Sequence, residues 1–239
     1  MNVIIMAAGV GARLSAISRN RPKCMIQVGH ETIIARLVRL LRERDIERIA
    51  VVVGYQADLV REELDDAVAV FENASYATTN SLASLWKARE RLEGNAILMN
   101  ADLYFEPELL DGLLSQTRPA VMLADSSRIE TSDYRFGYDA DRICRHGKGL
   151  TLAETDAEYV GMARIDRAFM PRFKDRLARC MAAGWTDCWW EEALYSFIPE
   201  GVPVYHHDVA GTFWTEVDCP RDFARLQDWL AADRPVLTA

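Results

Sequence analysis

The chain has 239 residues, half of them hydrophobic, so it can bury one substantial core and is rather small for two. We therefore expect a single domain over residues 1–239. The formal net charge of −8 argues against nonspecific binding to nucleic acid. No apolar run is long enough for a membrane span and no basic leader precedes the first one, so we expect a cytoplasmic protein. The five cysteines are scattered without a Cys-x-x-Cys pair, which favours neither a disulfide framework nor a zinc site.

Apolar runs alternate with amphipathic segments along the first half of the chain, which predicts an α/β fold. Strand patterns occur at 2–6, 49–53, 68–71, 96–99, 120–124, 159–165 and 202–206. Helix patterns occur at 31–44, 56–64, 82–92, 107–116, 166–182, 187–197 and 220–231. A strand, a helix and a second strand at the start of the chain form a βαβ unit, so the sheet is expected to be mostly parallel there.

The segment 125–152 differs from the rest, with many polar residues, short apolar pieces and turn signals at 139–141 and 146–149. We interpret it as an insertion of loops and short antiparallel strands that covers one side of a ligand site.

A glycine-containing loop follows the first predicted strand, at the edge of the sheet where α/β folds bind ligands. Gly9 and Gly11 let the backbone bend sharply and bring its N–H groups close to phosphate oxygens. Arg13 adds a permanent forked cation and Lys23 a mobile one, a combination that suits a triphosphate. A dinucleotide fingerprint is excluded because Leu14 stands where its third glycine would be, and a P-loop is excluded because Gly-Lys-Ser/Thr is absent.

The stretch Met6-Ala-Ala-Gly-Val-Gly-Ala-Arg-Leu14, with Pro22-Lys23 downstream, resembles the signature of the sugar-phosphate nucleotidyltransferase superfamily. Members of this superfamily join a nucleoside triphosphate to a phosphorylated acceptor. The resemblance implies a Rossmann-like nucleotidyltransferase fold with a mixed, mostly parallel central sheet flanked by helices. It also implies nucleotide binding by the residues Ala7, Ala8, Gly9, Gly11, Arg13 and Lys23.

Two carboxylates far apart in the sequence are candidate Mg²⁺ ligands, since magnesium takes hard oxygen ligands together with substrate phosphates. Asn100-Ala-Asp102 looks like the Asn-x-Asp element of the superfamily, and Trp214-Thr-Glu-Val-Asp218 looks like its Trp-x-Glu-Ile-Asp element. The resemblance therefore implies a metal site formed by Asp102 and Asp218 with Glu216. On composition alone, a turn or cap residue is the more common explanation of an isolated aspartate after a strand, and the resemblance is what favours metal binding.

The segment 80–85 is similar to one in the choline-phosphate and phosphonate cytidylyltransferase branch, where it lies beside the nucleobase. Asn80 and Ser84 both carry groups that donate and accept hydrogen bonds, which suits recognition of a pyrimidine edge. Asn80 also fits the N-cap of the following helix, and the two roles are compatible.

The same branch resemblance points to the acceptor side of the site. The implied acceptor-binding residues are Lys148, Glu158, Trp189, Trp190, Glu191 and Trp214. Together with Tyr134, Tyr138 and Tyr159, the tryptophans could surround an ammonium group by cation–π attraction, with Glu191 or Asp187 as countercharge. Core packing explains the same tryptophans equally well.

These observations predict a Mg²⁺-dependent enzyme that transfers CMP from CTP to a small phosphorylated amino alcohol or a phosphonate and releases pyrophosphate. The first alternative is a sugar-1-phosphate nucleotidylyltransferase using UTP or dTTP. A metal-dependent glycosyltransferase would need an Asp-x-Asp, but Leu103-Tyr104 follows Asp102. A noncatalytic nucleotide-binding module is the fourth reading. The acceptor's identity and a homodimeric state both stay open.

Overall fold

The computed structural model describes residues 1–232, so the last seven residues of the predicted domain lie outside the described part. The strands are β1 (Asn2–Ala7), β2 (Gln27–Val28), β3 (Glu31–Thr32), β4 (Arg48–Val53), β5 (Ala69–Glu72), β6 (Ala96–Asn100), β7 (Leu103–Phe105), β8 (Ala120–Asp125), β9 (Arg135–Asp139), β10 (Arg142–Gly147), β11 (Ala157–Ile165), β12 (Tyr205–Asp208) and β13 (Trp214–Glu216). The α-helices are α1 (Ser15–Ser18), α2 (Ile33–Arg42), α3 (Ala57–Glu63), α4 (Ser81–Lys87), α5 (Pro107–Leu114), α6 (Met170–Ala182), α7 (Glu192–Tyr195) and α8 (Pro220–Ala232).

The central sheet has the strand order β5-β4-β1-β6-β11-β8-β12-β10-β9, and its first four strands are parallel. The parallel start predicted from the βαβ pattern is therefore confirmed. Met6 lies opposite Asn100 in the register of β1 and β6. The glycine loop after β1 and the Asp102 turn after β6 consequently leave the sheet side by side.

Both faces of β1 are buried, which explains its uninterrupted apolar sequence. Val3 and Ile5 belong to one hydrophobic cluster, with α2 and α5, whereas Ile4 and Met6 belong to another, with α4 and α6. The sheet is thus covered by helices on both sides, as the α/β prediction requires. Among residues 1–232, no helix is both long and apolar enough to cross a membrane.

The second half of the sheet is mainly antiparallel, because β11 runs against both β6 and β8. The segment 125–152 does contain short antiparallel strands, β9 and β10, but they are part of the main sheet and do not form a separate region. β9 also pairs with β11, so strands β11, β8, β12, β10 and β9 form a closed ring. Phe136 on β9 is fully buried, and this anchors the hairpin in the core.

Most predicted elements differ from the observed ones by a few residues at their ends, and three differ most. The helix predicted at 187–197 is reduced to α7, because the preceding loop bonds to the start of α4: Asn80 N–H donates to the Thr186 carbonyl (2.8 Å) and Leu82 N–H to the Cys188 carbonyl (3.0 Å). The helix predicted at 82–92 ends at Lys87 and continues as a 3₁₀ turn. The strand predicted at 202–206 begins only at Tyr205, since Pro203 has no N–H to donate.

Candidate active site

The glycine loop holds its residues in conformations that explain the choice of glycine at position 11. Gly11 has φ +66°, a left-handed conformation that L side chains rarely adopt, and a Cβ there would lie 2.1 Å from Lys23 Cγ. The absence of a side chain at Gly11 thus leaves the space through which Lys23 reaches the site. Ala7 and Ala8 are buried, and Ala8 accepts a hydrogen bond from Tyr55 N–H at 3.1 Å, which ties the loop to the end of β4.

A two-stranded ladder brings the two predicted metal carboxylates together. β7, which follows Asp102, pairs antiparallel with β13, which precedes Asp218, with Leu103 opposite Glu216. Val217 N–H also donates to the Asp102 carbonyl at 2.8 Å. Residues more than a hundred positions apart in sequence therefore stand at the same edge of the sheet, as the resemblance implied.

Lys23 lies between these two carboxylates. Its Nζ contacts Asp102 Oδ2 and lies 2.5 Å from Asp218 Oδ1, and Arg13 pairs with the other oxygen of Asp218. Burial would lower the pKa of Lys23, but the charges of Asp102 and Asp218 outweigh it and raise the pKa above its ordinary value. Lys23 is thus a fixed cation within the site, whereas the Arg13 side chain is 68% exposed and pairs with Asp218 from the rim.

Behind the carboxylates lies a polar layer formed by the half-buried Glu216 and Asn100 and the fully buried Trp190. Asn100 Nδ2 donates to Glu216 Oε1 at 3.0 Å, and Trp190 Nε1 donates to Asn100 Oδ1 at 2.9 Å. Burial, together with the nearby charges of Asp102 and Asp218, raises the pKa of Glu216 well above its ordinary value. This layer fixes the orientation of the Asn100 amide beneath the site.

The donor set fits a divalent cation of the magnesium type. Asp102 and Asp218 already converge on one positive atom, Lys23 Nζ, and both offer hard oxygen ligands with partial exposure. Within residues 1–232, no group of three or more His, Cys, Asp or Glu side chains is arranged to hold a metal ion by itself. Two carboxylates completed by phosphate oxygens and water are nonetheless the usual magnesium arrangement.

A small pocket of about 100 Å³ lies on the other side of the glycine loop. Its lining includes Ala8 and Gly9 together with Asn80 and Ser84, so the sequence correctly grouped these residues. Asn80 caps α4 by accepting from Ser81 N–H at 2.8 Å, and the same residue lines the pocket.

Further residues of this pocket were missed by the sequence analysis. They are Asn73, Tyr76 and Thr79. Asn73 Nδ2 donates to the Ser84 hydroxyl at 3.0 Å and to the Thr79 hydroxyl at 3.0 Å, which holds both in place. Asn73 directly follows β5, and Tyr76 lies three residues later. Their position just after a strand was the feature of the sequence that could have identified them.

The largest cavity beside the carboxylates, about 240 Å³, contains several of the predicted acceptor residues. Lys148, Trp189 and Glu191 line it, together with Tyr134 and Tyr159. Lys148 Nζ is 2.7 Å from Asp133 Oδ2 and 5.4 Å from the centroid of the Trp189 ring. Asp133 and Tyr195 also line the cavity and were missed, because an aromatic residue inside a predicted helix is indistinguishable from a core residue.

Three other predicted acceptor residues do not line this cavity. Trp190 is fully buried under Asn100, so the prediction that it contacts the acceptor is wrong and its role is to support the site. Trp214 and Glu158 line an adjoining cavity of about 110 Å³. There Trp214 Nε1 donates to Asp125 at 2.7 Å, and Glu158 Oε2 pairs with Arg128 at 3.2 Å.

The expected contribution of Tyr138 to the aromatic group is also wrong. Its ring stacks on that of His206 with centroids 3.5 Å apart, outside the lining of either cavity. The aromatic residue that takes part instead is Tyr195, whose ring is parallel to that of Tyr134 at 5.5 Å.

A glycine loop and a pair of carboxylates with a lysine between them, at the carboxyl edge of parallel strands, define a nucleotide-dependent transferase site. The chain belongs to the family described as MobA-like NTP transferase domain, which matches residues 3–183, and it is a nucleotidyltransferase. The resemblance read from the glycine-loop and carboxylate motifs is thereby confirmed.

Two relatives match the chain over nearly its full length. A choline-phosphate cytidylyltransferase of Streptococcus pneumoniae is 27% identical, covering 96% of this chain and 98% of its own. A 2-aminoethylphosphonate cytidylyltransferase of Lancefieldella rimae is 30% identical, covering 93% of this chain and 90% of its own. The branch to which the segment 80–85 pointed is therefore the one in which these relatives lie.

Solved structures agree on the fold. The CTP:phosphocholine cytidylyltransferase of Streptococcus pneumoniae superposes with a TM-score of 0.76 at 23% identity, over 96% of this chain and 98% of that one. The inositol-1-phosphate CTP transferase of T. maritima reaches 0.79 at 21% identity, over 98% and 97%. The predicted nucleotidyltransferase fold with a mixed, helix-flanked sheet is confirmed.

Proposed function

We propose that the protein transfers CMP from CTP to the phosphoryl or phosphonate oxygen of a small amine-bearing acceptor and releases pyrophosphate. The observation that supports this best is the arrangement of three neighbouring parts of the site. They are a base-sized pocket at Asn80, the charged pair of Lys23 and Asp102, and an aromatic cavity at Trp189. The names of the relatives point to the same nucleotide and the same acceptor class.

The reaction needs little proton chemistry from the protein. A phosphate or phosphonate oxygen of the acceptor is ionised near neutral pH, so it attacks the α-phosphorus of CTP without a general base. The new oxygen–phosphorus bond forms as the bond between the α-phosphorus and the bridging oxygen breaks, and pyrophosphate leaves with that electron pair. Catalysis is then positioning and charge neutralisation.

Each cation of the site has a role in this scheme. Lys23, held at the carboxylates beneath the glycine loop, would stabilise the negative charge that develops at the α-phosphate. Arg13, exposed and at the rim, would bind the β- and γ-phosphates. Asp102 and Asp218, with Glu216 beside them, would hold Mg²⁺, which neutralises phosphate charge when bound.

The test is pyrophosphate release with Mg²⁺ across the four nucleoside triphosphates, each with phosphocholine, phosphoethanolamine, 2-aminoethylphosphonate and glucose-1-phosphate. We expect turnover in the CTP series with amine-bearing acceptors only. Asp102→Asn should reduce kcat by at least about a hundredfold with an unchanged circular dichroism spectrum, because it removes a charge and keeps the shape. Turnover confined to UTP or dTTP with the sugar phosphate would establish the alternative and overturn the proposal.

A further inference from the structure

The floor of the aromatic cavity is a buried carboxyl group. Glu191 lines the cavity yet is only 6% exposed, and Tyr159 and Tyr195 stand close to it. Burial raises the pKa of Glu191 to about 8. Its carboxyl group therefore gains a charge only at alkaline pH, or when a cation arrives to balance that charge.

Two phenol hydroxyls beside this carboxyl have unused hydrogen-bonding capacity. Those of Tyr159 and Tyr195 are buried, and neither makes a hydrogen bond of good geometry with the described part of the chain. Buried polar groups in folded proteins nearly always have a partner, and an exception at a ligand cavity indicates a partner supplied by the ligand. That ligand would have to present donors or acceptors of its own at this point.

The aromatic rings around Tyr134 pack against one another and do not surround a vacant space between them. The Tyr134 ring centroid lies 5.7 Å from that of Trp189, 5.5 Å from that of Tyr195 and 6.3 Å from that of Tyr159. Rings at these separations touch one another, so no cation fits between Tyr134 and its neighbours. A cation in the cavity therefore cannot be enclosed between the Tyr134 ring and these neighbouring rings, as a quaternary ammonium is between the faces of an aromatic cage.

A primary ammonium already occupies the mouth of the cavity. Lys148 Nζ rests over the Trp189 ring and pairs with Asp133. One aromatic face and one carboxylate are therefore sufficient to hold an ammonium group here. Glu191 and its two tyrosines repeat that combination deeper in the same cavity.

From these four observations, and resting on the proposed function, we infer that the cationic end of the acceptor is a hydrogen-bond-donating ammonium, a primary amine, and not a trimethylammonium. An N–H-bearing cation satisfies the Glu191 carboxylate and the tyrosine hydroxyls at once. A trimethylammonium has no N–H and can donate a hydrogen bond to none of the three. A site built for hydrogen bonds discriminates strongly against a ligand that cannot make them.

The experiment measures kcat/KM for pyrophosphate release with CTP and four acceptors: phosphoethanolamine and its N-methyl, N,N-dimethyl and N,N,N-trimethyl derivatives. The first three keep at least one N–H and the last has none. We expect kcat/KM to fall at least about tenfold at the final methylation, more than at either earlier step. Equal or higher kcat/KM for the trimethyl compound, or turnover only with amine-free acceptors, would overturn the inference and leave CTP transfer standing. Failure of CTP with every acceptor would instead refute the proposed function.

A variant tests the role of the carboxyl group directly. Glu191→Gln should lower kcat/KM for phosphoethanolamine at least about tenfold at pH 8.5 while leaving the KM for CTP unchanged. In the unsubstituted protein, kcat/KM for this acceptor should rise as pH increases through about 8, because ionised Glu191 binds the cation. The charged or titratable groups that face Glu191 are Tyr134, Tyr159, Tyr195 and Glu192.

Glu192→Gln is the matched control, because Glu192 is adjacent in sequence and does not line the cavity. It should keep a profile that rises with pH, with its midpoint moved slightly lower because the Glu192 charge no longer raises the pKa of Glu191, whereas Glu191→Gln should flatten the profile. A profile that Glu191→Gln leaves intact would overturn the inference, as would an unaltered preference between the amine and the trimethyl compound. Should Glu191→Gln fold poorly, Tyr195→Phe measured on the same four acceptors gives the equivalent result, with a loss confined to the N–H-bearing ones expected.

Discussion

At the scale of single residues, the site depends on how one glycine and one lysine share space. Gly11 occupies a left-handed conformation and lies directly against the Lys23 stem, so a methyl group cannot be added without moving the lysine. Lys23 in turn is held by Asp102 and Asp218. The sequence identified all four residues but could not predict that the glycine serves the lysine as well as the turn.

Gly11→Ala should therefore reduce kcat at least about tenfold, beyond the roughly 1 kcal/mol of stability lost to the left-handed conformation. Gly29→Ala is the control, since Gly29 has φ +67° with nothing within 4 Å of its Cβ. It should show a similar loss of stability in urea unfolding and unchanged turnover. Equal kcat values for the two variants would mean that turnover does not depend on the position of the Lys23 side chain beside Gly11.

At the scale of elements, the residue that caps helix α4 also lines the base-sized pocket. The Asn80 side-chain oxygen accepts from Ser81 N–H, and Asn80 is among the residues around the pocket, where we propose that its amide N–H contacts the base. Aspartate caps a helix about as well as asparagine but has no N–H to offer. The two roles can therefore be separated by one substitution.

Asn80→Asp should keep the free energy of unfolding within about 0.5 kcal/mol and raise the KM for CTP about tenfold. Thr32→Ala serves for comparison, because the Thr32 hydroxyl caps α2 by accepting from Ala35 N–H at 3.2 Å, away from the pocket. That variant should lose about 1 kcal/mol of stability with its KM for CTP unaltered. An unchanged KM in Asn80→Asp would limit Asn80 to capping.

The same scale explains what the sequence could and could not predict. The hydrophobic period and the order of helices and strands predict parallel strands whose carboxyl ends share one edge of the sheet. The proximity of Asp102 to the glycine loop was therefore predictable. The different fates of Trp189, 41% exposed, and Trp190, fully buried, were not predictable. The positions of these two side chains depend on a loop that is hydrogen-bonded through its backbone to the start of α4, and no local sequence pattern predicts such bonds. Tyr195 was missed for the same reason, since its partners come from distant strands.

At the scale of the whole molecule, the carboxylates of the site join distant parts of the chain. Asp102 follows β6 in the centre of the sheet, whereas Asp218 directly precedes α8 near the end of the described residues. Any ligand that binds both carboxylates stabilises the folded state by mass action, because the unfolded chain cannot bring them together.

CTP with Mg²⁺ at about a hundred times its dissociation constant should accordingly raise Tm by about 5–10 °C in a thermal-shift measurement. Neither CTP with EDTA nor Mg²⁺ alone should reproduce that shift. Asp218→Asn should reduce it to a small fraction, while Asp222→Asn, four residues along on α8, should retain most of it. A full shift in Asp218→Asn would show that the nucleotide binds without this carboxylate.

The closed ring of strands has a consequence for how copies of the chain can meet. Because β9 returns to pair with β11, the nine-stranded sheet has, among residues 1–232, a single open side, at β5. β5 spans only four residues, and Glu72 at its end is paired with Arg61. A short border carrying charge is a poor template for strand addition by a second chain. The topology that closes the acceptor half of the molecule thus also protects the sheet against edge-to-edge polymerisation.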